Sequence, residues 1–317
     1  MKVMTTFRRW VRVALMALPA GFCLGAAAQA QQGDGARAYQ LLPDGARSAA
    51  VWALSAEGNS TLDPGRVFRG TNVDLTMSIL QFTQTVNIAG QQAGLFAVLP
   101  LGELSVDFNF RNTTRTGTST GTGDLVLGGV FGIAGSPALA LDEYLTFQPG
   151  ASFGVLAKVG LPTGTYSSDK LVNLGGNRVW GQFGVPMGYA LGTSYLDPKL
   201  TTFELIPSVF VYGDNDDPFG AAASTGQDPL WMVEAHITRN LSRAFWVSLD
   251  AVYMYGGETS TNGVANNDTQ RSLGMGATAF LHLPDNAGLK LTYGETVSAN
   301  ADGADGRLLR AIWVKIF

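Results

Sequence analysis

Charge is scarce in this sequence. Asp, Glu, Lys and Arg make up 15% of its 317 residues, against roughly 25% in an ordinary globular chain. Cysteine is nearly absent: Cys23 stands alone, which excludes a disulfide scaffold and a thiolate metal site. Histidine is limited to His236 and His282, too few for a transition-metal centre. Positive charge is short as well. With Lys+Arg at 21 and Asp+Glu at 25 the net charge is −4, which argues against a dedicated nucleic-acid binder. After Ala30 no run of 18 apolar residues occurs, so no helix is long enough to span a bilayer. Against these shortages stand 46% hydrophobic residues and 40 glycines. The first excludes intrinsic disorder. The second is nearly twice the usual ~7% yet far from the one-in-three repeat of collagen.

The first thirty residues read as an address. Lys2, Arg8, Arg9 and Arg12 precede an apolar stretch from Val13 to Ala28, and Ala28 and Ala30 flank Gln29 in an A-x-A cleavage pattern. This is the layout of a secretory signal peptide over 1–30. An anchor helix fits less well, because Pro19 and Gly21 interrupt a short run. Phe22 is too bulky before Cys23 for a lipoprotein, and the residues around Arg8-Arg9 do not fit the twin-arginine route. Cleavage would remove four basic residues and no acid, taking the net charge from −4 to −8, and would leave no cysteine.

The rest of the chain alternates with period two, the signature of strands with two different faces. Val73, Leu75, Met77 and Ile79 alternate with Asp74, Thr76 and Ser78. The phase then slips, and Leu80 and Phe82 alternate with Gln81 and Thr83, which predicts a β-bulge. Leu104, Val106, Phe108 and Phe110 form another set, as do Phe245 to Tyr255 and Leu273 to Leu283. Twelve strands follow, at 47–59, 71–89, 92–110, 123–134, 144–161, 177–191, 200–213, 229–239, 244–256, 271–283, 288–297 and 307–317. Connections after odd-numbered strands are long and polar (112–122, 162–176, 214–228, 257–270, 298–306), whereas those after even-numbered strands are mostly shorter (90–91, 240–243, 284–287), with longer turns near 135–143 and 192–199. An all-β, antiparallel up-and-down transmembrane barrel has this parity, with short periplasmic turns and long extracellular loops. Lipid also explains the alternation: strands in hydrocarbon must close to pair their backbone, with one face apolar and the other meeting the lumen. The expected layout is therefore a signal peptide at 1–30, a short periplasmic segment at 31–46 and a bacterial outer-membrane barrel at 47–317. Trp180, Tyr189, Trp231, Tyr253, Tyr255 and Trp313 suit the interfacial girdles. The end Ile312-Trp313-Val314-Lys315-Ile316-Phe317 looks like the signal read by the barrel assembly machinery, with Lys315 expected to snorkel to the periplasmic interface. Outer-membrane lipid and lipopolysaccharide are the expected surroundings.

The polar parity predicts the lumen lining. The candidates are Lys158, Glu204, Glu234, His236, Asp250, His282, Lys290 and Arg310. They either pair with one another and fill a narrow lumen or line a path for a small solute.

Enzyme motifs mostly dissolve on inspection. Gly150-x-Ser152-x-Gly154 matches a nucleophile elbow, with Asp250 and His282 following in order, but β-like sequence continues where a turn and helix are required. A twelve-stranded outer-membrane phospholipase carries a His-x-Ser pair, which neither His236 nor His282 begins. Gly274-x-Gly276 with Ala279 sits within a strand, so it is no dinucleotide site. Asp214-Asn215-Asp216-Asp217 opens like a calcium loop, but Pro218 and Phe219 replace needed positions. No catalytic residue, cofactor or metal site is assigned.

Three segments go beyond a generic barrel: Leu161-Pro162-Thr163-Gly164-Thr165-Tyr166 with Lys170 to Arg178, Gly226-Gln227-Asp228-Pro229-Leu230-Trp231, and Tyr255-Gly256-Gly257-Glu258-Thr259 with Asn262-Gly263. Together with Asn72-Val73-Asp74 they resemble the MetA-pathway of phenol degradation family over about Ala38 to Phe317. Trp231, where Tyr is common, and Lys315 depart from it. The resemblance implies an outer-membrane transporter for passive uptake of small hydrophobic or aromatic solutes, and brings no catalytic or binding residues. A non-conducting structural or adhesion barrel working through its loops, and a membrane-embedded hydrolase, are the alternatives.

Overall fold

The computed structural model describes residues 33–61, 63–110 and 113–317; the signal peptide expected at 1–30 lies outside them. The strands in chain order are β1 (Arg47–Gly58), β2 (Asn72–Ile88), β3 (Gln91–Phe110), β4 (Thr113–Thr122), β5 (Leu125–Ala134), β6 (Ala151–Leu161), β7 (Trp180–Gly184), β8 (Met187–Leu191), β9 (Thr201–Tyr212), β10 (Thr225–Gln227), β11 (Leu230–Asn240), β12 (Phe245–Gly256), β13 (Thr259–Thr261), β14 (Val264–Ala265), β15 (Gln270–Leu283), β16 (Ala287–Ala299) and β17 (Gly306–Ile316). Among the described residues one helix, α1 (Leu141–Thr146), lies in the turn after β5.

Every pairing in the wall is antiparallel, and β1 pairs with both β2 and β17, which closes a twelve-stranded barrel. β7 and β8 share one position in it, between β6 and β9. The short turns are where expected. Ala89 and Gly90 take φ of 53° and 83°, as a two-residue hairpin of the favoured primed type requires. β10, β13 and β14 form a small separate sheet in the extracellular loops.

Three sequence expectations need correction. Residues 113–122 are a strand, not a loop: β3 is long enough to pair with β5 through Ala93–Val98 and with β4 through Leu101–Phe110. Residues 141–146 are helical, not the start of a strand, because Glu143 accepts the Ala140 N–H at 2.9 Å and caps the first turn. The phase slip in β2 is not a bulge. Its register with β1 and β3 is continuous. The slip is instead a change in what each face meets. Val73, Leu75, Met77 and Ile79 point inward and are buried, while Asp74, Thr76 and Ser78 point outward and are exposed; further down, Leu80 and Phe82 are the outward pair. The outer face thus turns from polar to apolar where the strand enters hydrocarbon.

Above that level the interior is apolar: Val73, Leu75, Met77, Ile79, Leu104 and Val106 pack against Val172 and Leu174 from the loop after β6. Below it the outside is apolar. Leu249, Leu309, Phe183 and Leu95 are 69%, 59%, 55% and 53% exposed, an arrangement that water would penalise and lipid does not. Trp231, Tyr253, Tyr255, Tyr189 and Trp313 stand on this outer face. Trp180 does not join them. It is buried in the lumen against Phe210 at 5.9 Å. Lys315 reaches the Asp285 carbonyl in the last periplasmic turn, as its expected snorkelling requires.

The boundary on β2 has a direct test. Phe82→Arg, on the lipid face, should cost about 2 kcal/mol of barrel stability, whereas Thr76→Arg, on the same face above the membrane, should cost almost nothing. Urea-titrated loss of the fast-migrating unheated form on SDS gels would measure both.

Candidate functional site

The lumen carries a polar spine on β9, β11, β12, β15, β16 and β17. His236 lies between two carboxylates, with Nδ1 2.7 Å from Asp250 and Nε2 3.4 Å from Glu234. Asp250 also accepts the Ser248 and Thr278 hydroxyls, both at 2.6 Å. Glu234, His236 and Asp250 are 0–3% exposed, so each buried charge is held by hydrogen bonds, as a buried charge must be. Neighbouring strands put these residues side by side: His236 is registered with Asp250 on one side and Glu204 on the other.

What covers them is the segment 33–46, and here the expectation of a periplasmic position gives way. The segment enters the barrel from the periplasmic rim and runs up to mid-height. Asp34 is paired with Lys158 at 2.6 Å. Gly35 N–H donates to Glu234 at 3.2 Å, and Arg37 N–H to Glu204 at 2.8 Å. Arg37 Nε reaches Thr238 at 2.8 Å, with its guanidinium 4.7 Å from the Trp246 ring centre. Lys290 donates to the Ala36 carbonyl at 2.8 Å and Arg310 to the Gly33 carbonyl at 3.1 Å. Two glycines make this approach possible. A Cβ on Gly33 would overlap the Glu234 carboxylate, and Gly35 holds φ at +85° against the Arg310 guanidinium, where other residues are strained.

The extracellular end is capped by the loop between β1 and β2. Its Asp63 is buried against Arg178 at 2.9 Å. Arg178 also donates to Gln227 at 2.7 Å and lies 4.4 Å from the Tyr212 ring centre. Gln227 in turn donates to the carbonyls of Gly65 and Gly257, both at 3.0 Å. The three segments that carried the family resemblance therefore meet at this cap.

Beneath the cap and alongside the segment, the lumen holds a chamber of about 660 Å³ that runs to the periplasmic rim at Ser48, Arg243 and Ile316. Trp52, Phe96, Trp180, Phe210, Trp246 and Phe280 supply its apolar lining. At its periplasmic floor Tyr144 and Tyr195 stack at 5.5 Å. Burial pushes both phenols above the ordinary tyrosine range, so they remain neutral donors.

The eight sequence candidates all project into the barrel interior, but not to one end. Lys158, Glu204, His282, Lys290 and Arg310 line the chamber, while Glu234, His236 and Asp250 lie beneath the inserted segment. His282 stands apart at the periplasmic end, edge-on to Phe280 at 4.8 Å. Sequence reasoning missed Asp34, Arg37 and Asp63, and singled out Arg178 only within a segment of the family resemblance. Opposite charges on 33–46 and on the inward faces were the available signal, and nothing in either told which would meet. Ser152 is the second residue of β6, and strand follows it where a sharp turn and a helix are required, so the elbow geometry does not form. Among the described residues no group of three or more His, Cys, Asp or Glu could hold a metal ion.

Both closures can be challenged. Gly35→Val should displace the segment and raise single-channel conductance in planar bilayers without loss of the folded barrel. Asp63→Ala leaves a buried guanidinium unpaired, a change worth about 3 kcal/mol, and should loosen the cap. Surface proteolysis of whole cells within 59–71 would report it.

A family model described as Putative MetA-pathway of phenol degradation matches residues 54–304. Among solved structures, the COG4313 outer membrane channel from Pseudomonas putida F1 is similar at a TM-score of 0.71 with 20% identity, covering 89% of this chain and 99% of that one. The translocator domain of the autotransporter NalP from Neisseria meningitidis aligns at a TM-score of 0.49 and 10% identity, over 88% of this chain and 90% of that one. No curated protein matches the chain by sequence. The closed barrel, its lipid-facing band and the family match make this an outer-membrane β-barrel.

Proposed function

Given that the chain belongs to the MetA-pathway of phenol degradation family, we propose that it takes up small hydrophobic or aromatic solutes passively across the outer membrane. The observation that carries this reading is the chamber. It is roofed by the extracellular cap and narrowed by the inserted segment, both held by polar contacts rather than by the wall itself, and its aromatic lining suits a flat, uncharged ring. The charged side chains facing it come in both signs, and Asp34 and Lys158 among them are paired with each other. Small-molecule sites of several hundred cubic ångströms combine apolar walls with a few fixed polar groups in this way.

Uptake requires one or both closures to yield. The inserted segment belongs to no strand and is held by hydrogen bonds, one ion pair and the burial of Leu41, so it can leave without unzipping strands. The cap rests on the apolar packing of Val172 and Leu174 as well as on Arg178, so it is the firmer closure. In the same reading the last strand, with Phe317 exposed at its end, presents the signal for the barrel assembly machinery.

Cells whose outer membrane carries the protein should accumulate a labelled neutral aromatic faster than cells without it, and purified barrels should give discrete current steps in planar bilayers. No difference in uptake together with no current would end the transport reading and leave a structural or adhesion role.

A further inference from the structure

Lys158 is a cation without an acid in the wall. Its partners across the ladders are Gly128 on β5 and Gln182 on β7, and the next inward positions on β6 are Leu156 and Gly160. None of these carries a charge. The inward acids Glu204, Glu234 and Asp250 stand on β9, β11 and β12, and none of those strands pairs with β6. Among the described residues the only carboxylate within ion-pair distance is Asp34, both of whose oxygens lie 2.6 Å from Nζ. Asp34 belongs to the inserted segment, outside every ladder. The Lys158 side chain is only 9% exposed, and an ammonium so far out of water needs a partner. Whatever leaves it must therefore be replaced.

The wall shapes more than a charge here. The ammonium lies 6.0 Å from the centre of the Phe96 ring, within reach of its π face. Gly128 permits this approach. A Cβ there would stand 2.5 Å from the Phe96 ring carbons and 3.0 Å from the Lys158 Cγ. Ring and lysine both come from the wall, so the seat they form does not depend on the segment. Its present occupant has a definite chemistry. Asp34 supplies a carboxylate, and the Tyr39 hydroxyl donates to that same carboxylate. The segment thus brings a carboxylate and an aromatic ring together at Lys158. Asp34, Tyr39, Phe96 and Lys158 all line the chamber, and the Asp34 side chain keeps 26% exposure, so a solute in the chamber meets the pair.

We propose that Lys158 is the seat for the carboxylate of an aromatic acid, which takes the place of Asp34 on the ammonium and so frees the inserted segment. The proposal rests on the transport reading above and extends its solutes from uncharged rings to rings that carry one carboxylate. The exchange keeps the charge at Lys158 balanced, because one carboxylate arrives as the other leaves. Asp34 regains water as the segment moves toward the periplasmic rim. An uncharged ring cannot bring this about, since it offers the ammonium no anion. An aliphatic carboxylate offers the anion but no ring surface for Phe96 and the aromatic lining.

Sodium benzoate, sodium acetate and toluene separate the parts of this claim. In calorimetric titrations of the purified barrel in detergent, benzoate should bind and acetate should bind far more weakly. Lys158→Met should abolish benzoate binding, and Lys158→Arg should retain it. Asp34→Asn should tighten it several-fold, because the competing carboxylate is gone and more of the barrel holds an open seat. A pair that served only to hold the segment would not split its two members in this way. Benzoate should also speed trypsin cleavage after Arg37, which the wall shields while the segment is inserted. Benzoate binding that survives Lys158→Met, or that weakens in Asp34→Asn, would overturn the seat. Asp34 lies outside the ladders, so its variant keeps the test decisive if Lys158→Met loses the fast-migrating unheated form. Labelled toluene entering cells faster than barrel-free cells, with no benzoate binding, would overturn the seat and leave the transport reading standing. Neither toluene uptake nor benzoate binding would end both.

Discussion

Hydrocarbon offers no partner to a backbone N–H or C=O, and this molecule is arranged around that fact. The registry of β1 with β17 over eleven consecutive residue pairs, Ser48↔Ile316 to Gly58↔Gly306, is what removes the last open edge. Once the wall is closed, the side chains are free to separate by parity. Large apolar residues such as Leu249 and Leu309 are left exposed on the outside at no cost, and a chain poor in charge can place most of its polar groups inside or in loops. The scarcity of charge, the abundance of glycine and the lack of cysteine are three consequences of building a protein whose solvent differs on its two faces.

The interior then has its own problem. A barrel of this size does not fill itself with strand side chains alone, and the ionisable groups that parity sends inward cannot remain unpaired. Two pieces of chain from outside the wall solve it. From below, 33–46 brings Asp34 to Lys158 and Arg37 to Glu204 and Thr238. From above, the first extracellular loop brings Asp63 to Arg178. Neither piece contributes to the ladders, so neither is needed for the wall to hold. What they leave between them is lined by rings rather than charges.

Much of this was legible from the residues. Alternation in Phe245 to Tyr255 and in Trp231 to Thr238 placed Glu234, His236 and Asp250 on the inner face, and the structure puts them there within 3.4 Å of one another through His236. Loop parity gave the orientation. The misreadings have a common cause. The slip in β2, the placement of Trp180 and the strand nature of 113–122 all depend on where the membrane ends along a strand that goes on beyond it. A period-two pattern records which faces differ, and does not record whether lipid or a folded loop makes them differ.

Composition, alternation and turn spacing by themselves determined a closed antiparallel barrel in a membrane, its strand number and the residues that face inward. These follow from local backbone chemistry and from one-dimensional periodicity. Only the tertiary structure decided what the inward residues meet. The pairing of Asp34 with Lys158 spans 124 positions and that of Asp63 with Arg178 spans 115. Contacts of that range leave no period in the sequence, because they are fixed by the curvature of the wall and by which loop is long enough to fold back into it.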